Sequence, residues 1–193
     1  MTILRRLSIA FFSGLCFLLT GCLAVSGVWT GAGLVYDRHN VYKKVSDYQI
    51  SAEANRALYR DTIFKRDDCS IDVAAFNGDL LVAGHVGTEA LREEAYARLS
   101  HVVGVRRFFK QLSIGAPQEA MVEDAWITTN IRSQMVADSE IDQQQFKVIT
   151  SDRIVYIMGD VKSEQAERVI AVTRQVTGVR RVVKLLKIYK LSN

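Results

Sequence analysis

The chain repeats itself, and the repeat limits the fold more than any other feature. Ala83-Gly84-His85-Val86 recurs as Met158-Gly159-Asp160-Val161 at a spacing of 75 residues. Gly104-Val105-Arg106-Arg107 recurs as Gly178-Val179-Arg180-Arg181 at a spacing of 74, and Thr88-Glu89 matches Ser163-Glu164. Two small units therefore follow one another, over 46–115 and 119–191, joined by a Gly-Ala-Pro-Gln link that holds the only proline, Pro117. A composition 49% hydrophobic and 24% charged suits two globular units and excludes a disordered tail.

Each unit reads in the same order. A helix comes first, over Asp47–Arg60 and again over Val122–Val136. Two strands follow. In the first unit Ser70–Phe76 and Leu80–Val86 flank Asn77-Gly78-Asp79, a hairpin signal because Asn-Gly accepts positive φ. In the second, Gln145–Thr150 and Ile154–Val161 flank Ser151-Asp152-Arg153. A second helix opens at Thr88 or Ser163, which are expected to cap it, and stops before Gly104 or Gly178, which fits a C-terminal glycine cap. A last strand, Val105–Ile114 or Val179–Tyr189, closes the unit. The expected class is α+β, with a three-stranded sheet and two helices on one face in each unit (αββαβ).

Ahead of the repeat, the N-terminus is built like a bacterial secretory signal. Arg5 and Arg6 precede an apolar run from Leu7 to Leu19, and small residues then precede a cysteine. Leu19-Thr20-Gly21-Cys22 resembles a lipobox. That resemblance implies cleavage after residue 21 and a lipid-modified Cys22, acylated in the manner of palmitate, as the first mature residue. An ordinary signal peptide or an uncleaved anchor competes, since no charge occurs from Leu7 to Val35. Ser26, Gly27, Thr30, Gly31 and Gly33 dilute the second half of that run, which favours the lipobox. Leu23, rather than Asp, follows the cysteine, and this points to the outer membrane. Residues 22–45 show no clean period and read as a lipidated N-terminus and tether.

Two tandem units, each with a strand-borne glycine and a Gly-Val pair before the last strand, resemble BON domains. Asp124-Ala125-Trp126-Ile127-Thr128-Thr129 opens the second unit and carries the more specific part of the likeness. With a lipobox ahead of them, the units are similar to dual-BON outer-membrane lipoproteins on the periplasmic face. The resemblance implies binding of anionic phospholipid (phosphatidylglycerol, cardiolipin) through the first helix of the second unit. It also implies a part in envelope integrity, with enrichment at the division site. The contacts would fall on Trp126, Ile127, Asn130, Ser133 and Gln134.

The residues themselves bear on that helix. At 100° per residue, Ile127, Thr128, Ile131 and Met135 share one arc, the core face, and Trp126 lies outside it beside Asn130, Ser133 and Ala137. The repeat aligns Ile127 with Ile50, Ile131 with Ala54 and Met135 with Leu58, but Trp126 with Gln49. An aromatic that the same fold does without suits either an interfacial lipid contact or a packing contact with the other unit. The basic run Arg180, Arg181, Lys184, Lys187 and Lys190 either discourages edge-strand pairing or draws anionic headgroups. The alternative for the whole chain is a periplasmic adaptor that docks envelope proteins without lipid recognition of its own.

Other chemistry finds no footing. His39, His85 and His101 stand apart with no metal-ligand spacing, and there is no phosphate loop or GxSxG. No catalytic residue, metal or cofactor is expected. Cys16 leaves with the signal and Cys22 takes lipid, so Cys69 has no disulfide partner and reads as a small buried hydrophobe. The net charge of +4 falls by two when Arg5 and Arg6 leave, too weak a balance for nucleic acid.

Overall fold

The computed structural model describes residues 38–115 and 121–189. The signal segment, Cys22, most of the tether and Pro117 lie outside the described residues. The first unit runs α1 (Arg38–Leu58), β1 (Ser70–Phe76), β2 (Asp79–Val86), α2 (Glu89–Leu99) and β3 (Arg107–Ile114). The second repeats it as α3 (Met121–Ala137), β4 (Phe146–Ser151), β5 (Ile154–Val161), α4 (Ser163–Gln175) and β6 (Arg181–Ile188), with a short 3₁₀ turn at Gln143–Gln145. Each sheet is three-stranded, its middle strand antiparallel to the hairpin partner and parallel to the last strand. This is the expected α+β architecture.

Local chemistry explains most of the boundaries. Phe76 pairs with Asp79 and Ser151 with Ile154, so both hairpins close on two residues. Asn77 and Gly78 (φ 51° and 80°) and Asp152 and Arg153 (φ 53° and 59°) all take the left-handed conformation that such a turn requires. The second turn does so without a glycine. Thr88 caps α2 as expected, accepting from the Leu91 N–H. Ser163 does not cap α4: Lys162 holds that position without a side-chain bond, and Ser163 is already helical. Gly104 and Gly178 do take positive φ (84° and 89°), but five and three residues past their helices, in the turn into the last strand. They are turn glycines rather than helix caps. α1 starts at Arg38, so the end of the stretch read as tether is helical; no Gly or Pro interrupts Arg38–Leu58, and no apolar period is needed for backbone bonding.

Packing uses both faces of each sheet. Ile50, Ala54 and Leu58 of α1 join Leu80, Val82 and Val86 in one core. Ile127, Ile131 and Met135 of α3 join Val155, Ile157 and Val161 in its counterpart. The three helix positions that the repeat aligns are thus buried in both units. A third cluster lies between the sheets: Ala74, Leu81 and Ala83 from the first, Tyr156, Met158 and Leu185 from the second. Alternate residues of β2 and β5 therefore serve a unit's own helices and the other unit's sheet. β2 is buried at all eight positions. The order of layers is helices, sheet, sheet, helices.

Polar bonds rim this contact reciprocally. Arg106, whose N–H donates to Gly78 at the first hairpin, reaches Asp160 late in β5 at 3.0 Å. Asp152 in the second hairpin reaches His85 late in β2. The turn end of each sheet thus meets the far end of the other. Asp79 is buried beneath Arg106 and Arg107, both of which donate to its carboxylate. Ser151 donates to Asp72 at 2.6 Å across the same boundary.

Candidate functional site

α3 buries one stripe and leaves the rest uncovered. Ile127, Ile131 and Met135 face the core, while Met121 (82% exposed), Val122 (83%), Trp126 (52%) and Val136 (61%) face out with Ala125 and Ala137. Between these apolar residues come Thr129 and Ser133, and the flanking charges are Glu123 and Arg132. Trp126 joins none of the three apolar clusters. The outward surface is a low-charge apolar stripe several turns long, a pattern that soluble helices seldom leave open.

Three side chains set the pose of that helix. The Asp124 carboxylate accepts the N–H groups of Asp152 and Arg153, both at 2.8 Å. Asp47 does the same for Asn77 and Gly78 in the first unit. Thr128 donates to Thr150 at 2.8 Å, and Arg132 to the Val148 carbonyl at 3.2 Å. Burial pushes the Asp124 carboxyl above its ordinary range, against the lowering by its two backbone donors. The nearby charges of Asp152 and Asp72 add to the rise.

The residues singled out from the sequence separate here. Trp126, Ser133 and Gln134 are exposed; Asn130 is half-buried, its amide donating to the Trp126 carbonyl at 3.0 Å. Ile127 is 1% exposed and belongs to the core, so as a surface contact it is withdrawn: the same 100° spacing that brings Trp126 outward turns its neighbour in. The basic strand β6 lies at the far side of its sheet from β4, against which α3 packs. Closer cations are Arg132 on α3 and Lys147 on the open edge of β4. Both line a cleft of about 950 Å³ that also holds Met121, Val122 and Ala125.

Sequence reasoning passed over His85. It is 4% exposed, and its Nδ1 lies 3.0 and 3.1 Å from the two Asp152 oxygens. Partners 67 residues apart leave no local spacing to find. Cys69 is half-buried, and burial pushes its thiol above the ordinary value. Among the described residues no group of His, Cys, Asp and Glu is placed to hold a metal, and no helix is long and apolar enough to cross a membrane.

Comparison with known proteins adds context to this geometry. The BON domain family matches residues 123–189. The chain is 24% identical over 192 residues to the outer membrane lipoprotein DolP of Haemophilus influenzae, spanning 97% of this chain and 98% of that one. It is 30% identical over 154 residues to a 21 kDa hemolysin of Actinobacillus pleuropneumoniae, 78% of each chain. Over 148 residues it is 28% identical to osmotically-inducible protein Y of Escherichia coli, covering 74% of this chain and 73% of the other.

Proposed function

The chain belongs to the family of BON-domain proteins, and from that we propose an outer-membrane-anchored periplasmic lipoprotein whose second unit binds anionic phospholipid through α3. Cys22 carries the lipid anchor. Trp126, Asn130, Ser133 and Gln134 meet the bilayer, with Ile127 fixing the helix from beneath. Phosphatidylglycerol and cardiolipin are the lipids, and the outcome is support of envelope integrity, with enrichment at the division site.

The observation that carries this reading is Trp126, half exposed at the middle of an uncovered apolar stripe, where the first unit has Gln49. Indole rings favour the boundary between hydrocarbon and water. Two or more acyl chains on Cys22 hold the chain at the membrane, so α3 need supply recognition rather than retention. Arg132 and Lys147 stand beside the stripe, and each cation near an anionic surface contributes about 1 kcal/mol.

The test uses a chain starting at Leu23, which keeps every described element and lacks the anchor. It should co-sediment with phosphatidylglycerol vesicles and bind neutral vesicles weakly. Trp126→Gln should lower that binding about tenfold, the equivalent of about 1.4 kcal/mol, while the melting temperature stays within a few degrees. A large loss of melting temperature with binding per folded molecule intact would make Trp126 a packing residue. Vesicle binding that requires an added envelope protein would favour the adaptor reading instead.

A further inference from the structure

The uncovered stripe belongs to the second unit, yet the first unit reaches its helix through a continuous series of hydrogen bonds. His85 stands near the end of β2 in the first unit, buried between the sheets. A carboxylate only accepts, so the imidazole nitrogen facing Asp152 carries the proton, and Nε2 has no partner among the described residues. Asp152 is held at its side chain by His85 and at its N–H by Asp124. Asp124 lies in the first turn of α3, two residues before Trp126.

This hairpin needs the support. Asp152 and Arg153 both take positive φ without a glycine, a conformation disfavoured for side-chain-bearing residues. The carboxylates of Asp72 and Asp124 act on the same place: Ser151 is bonded to Asp72, and Asp124 feels the charge of both Asp152 and Asp72. A donor on Asp152 offsets that mutual repulsion. The first unit has no equal requirement, because its turn is Asn77-Gly78. The position of His85 is taken in the second unit by Asp160, which bonds Arg106 rather than a hairpin residue. The reciprocal series from Asp160 reaches α1 through the backbone N–H of Arg106 and Gly78, so no side chain of the first hairpin is held by it.

We propose that His85 is a positioning residue for the lipid-contacting helix, acting through the Asp152 carboxylate, the hairpin N–H groups and Asp124. This rests on the lipid reading of α3 and gives the first unit a part in it without a bilayer contact of its own. Loss of the linkage leaves the first turn of α3 less well fixed, and the bilayer-facing residues lose preorganisation.

Three variants of the chain starting at Leu23 test it, with Trp126→Gln in parallel. Asp152→Gly removes the carboxylate that His85 holds, keeps the N–H that Asp124 accepts, and relieves the backbone at φ 53°. The melting temperature should stay within a few degrees, the relieved backbone offsetting the unpartnered imidazole, while affinity for phosphatidylglycerol vesicles falls about fivefold, the lower end of ordinary coupling between sites. His85→Leu should lower affinity similarly and shift the amide resonances of residues 124–128. His85→Asn, whose amide nitrogen sits where Nδ1 sits, should restore most of both. If Trp126→Gln weakens binding but Asp152→Gly and His85→Leu leave affinity and those resonances unchanged, the linkage is overturned and the lipid reading stands. If Trp126→Gln leaves binding intact, the lipid reading fails, and the resonances alone decide whether His85 positions α3. Should His85→Leu fail to fold, Asp152→Gly decides.

Discussion

The first helices of the two units do the same internal work and present different exteriors. Ile50, Ala54 and Leu58 on α1, and Ile127, Ile131 and Met135 on α3, fill equivalent places over equivalent sheets. Asp47 and Asp124 clip equivalent hairpins. Outward, α1 shows Lys44, Gln49, Asn55 and Arg56, with Tyr48 as its one large exposed apolar residue on the described part. α3 shows Met121, Val122, Ala125, Trp126 and Val136. The buried stripe is bound by the fold, whereas the outer stripe is free to diverge, so the difference between duplicates isolates what the fold does not explain.

Substitutions at matched positions can break or sharpen that contrast, and the strand glycines should show the largest effect. A Cβ at Gly84 would run into the Ser70 carbonyl oxygen, and φ there is 113°. At Gly159 it would come within 2.6 Å of the Gln145 carbonyl, with no positive φ. Gly84→Val should cost about 4 kcal/mol or more and Gly159→Val less, read from circular dichroism melts. Equal losses would show that backbone conformation adds nothing to the close approach.

Next come the hairpin clips. Asp124→Ala should cost about 2 kcal/mol and Asp47→Ala about 1 kcal/mol, because only the first turn has a glycine to relieve it. Denaturant melts that gave the opposite order would remove the distinction between the turns. Moving the indole should have a smaller effect still. Adding Gln49→Trp to Trp126→Gln should leave vesicle binding reduced, because Gln49 has polar neighbours on α1; recovered binding would mean that any exposed tryptophan suffices.

The smallest effect is a pH dependence. The folded Asp124 carboxyl titrates above its unfolded value, so the folded state takes up its proton first and gains stability as pH falls. That gain is complete below the unfolded value and is lost as pH rises through the folded one. Relative to Asp124→Asn, the unsubstituted chain should therefore melt at a progressively higher temperature between pH 7 and roughly pH 4. An unchanged or reversed difference would mean that the two N–H donors outweigh burial.

Much of this was legible in the chain itself. The repeat identified equivalent positions, and strands Ser70–Phe76 and Ile154–Val161 match their alternating and apolar patterns to the residue. Trp126 stood out because Gln49 supplied an internal control. The contact between the sheets had a signal that periodicity alone does not weigh: Leu80-Leu81-Val82-Ala83 and Val155-Tyr156-Ile157-Met158 are unbroken apolar runs, as strands buried on both faces are. Its polar rim had none, since His85 with Asp152 and Arg106 with Asp160 pair over distances in sequence that no motif spans. Ile127 was misjudged for a simpler reason. The resemblance implied it together with Trp126, although adjacent helical residues point in different directions.

The apolar cluster between the sheets has a consequence for the order in which the two units fold. The first unit precedes the second by some 75 residues, so it can complete its own fold first as the chain emerges. Until the second unit follows, Leu81, Ala83 and Phe109 form a bare hydrophobic wall with nothing to lean on. A stalled or truncated chain would keep that wall, and the surface best shaped to cover it would be the same wall on another unfinished molecule.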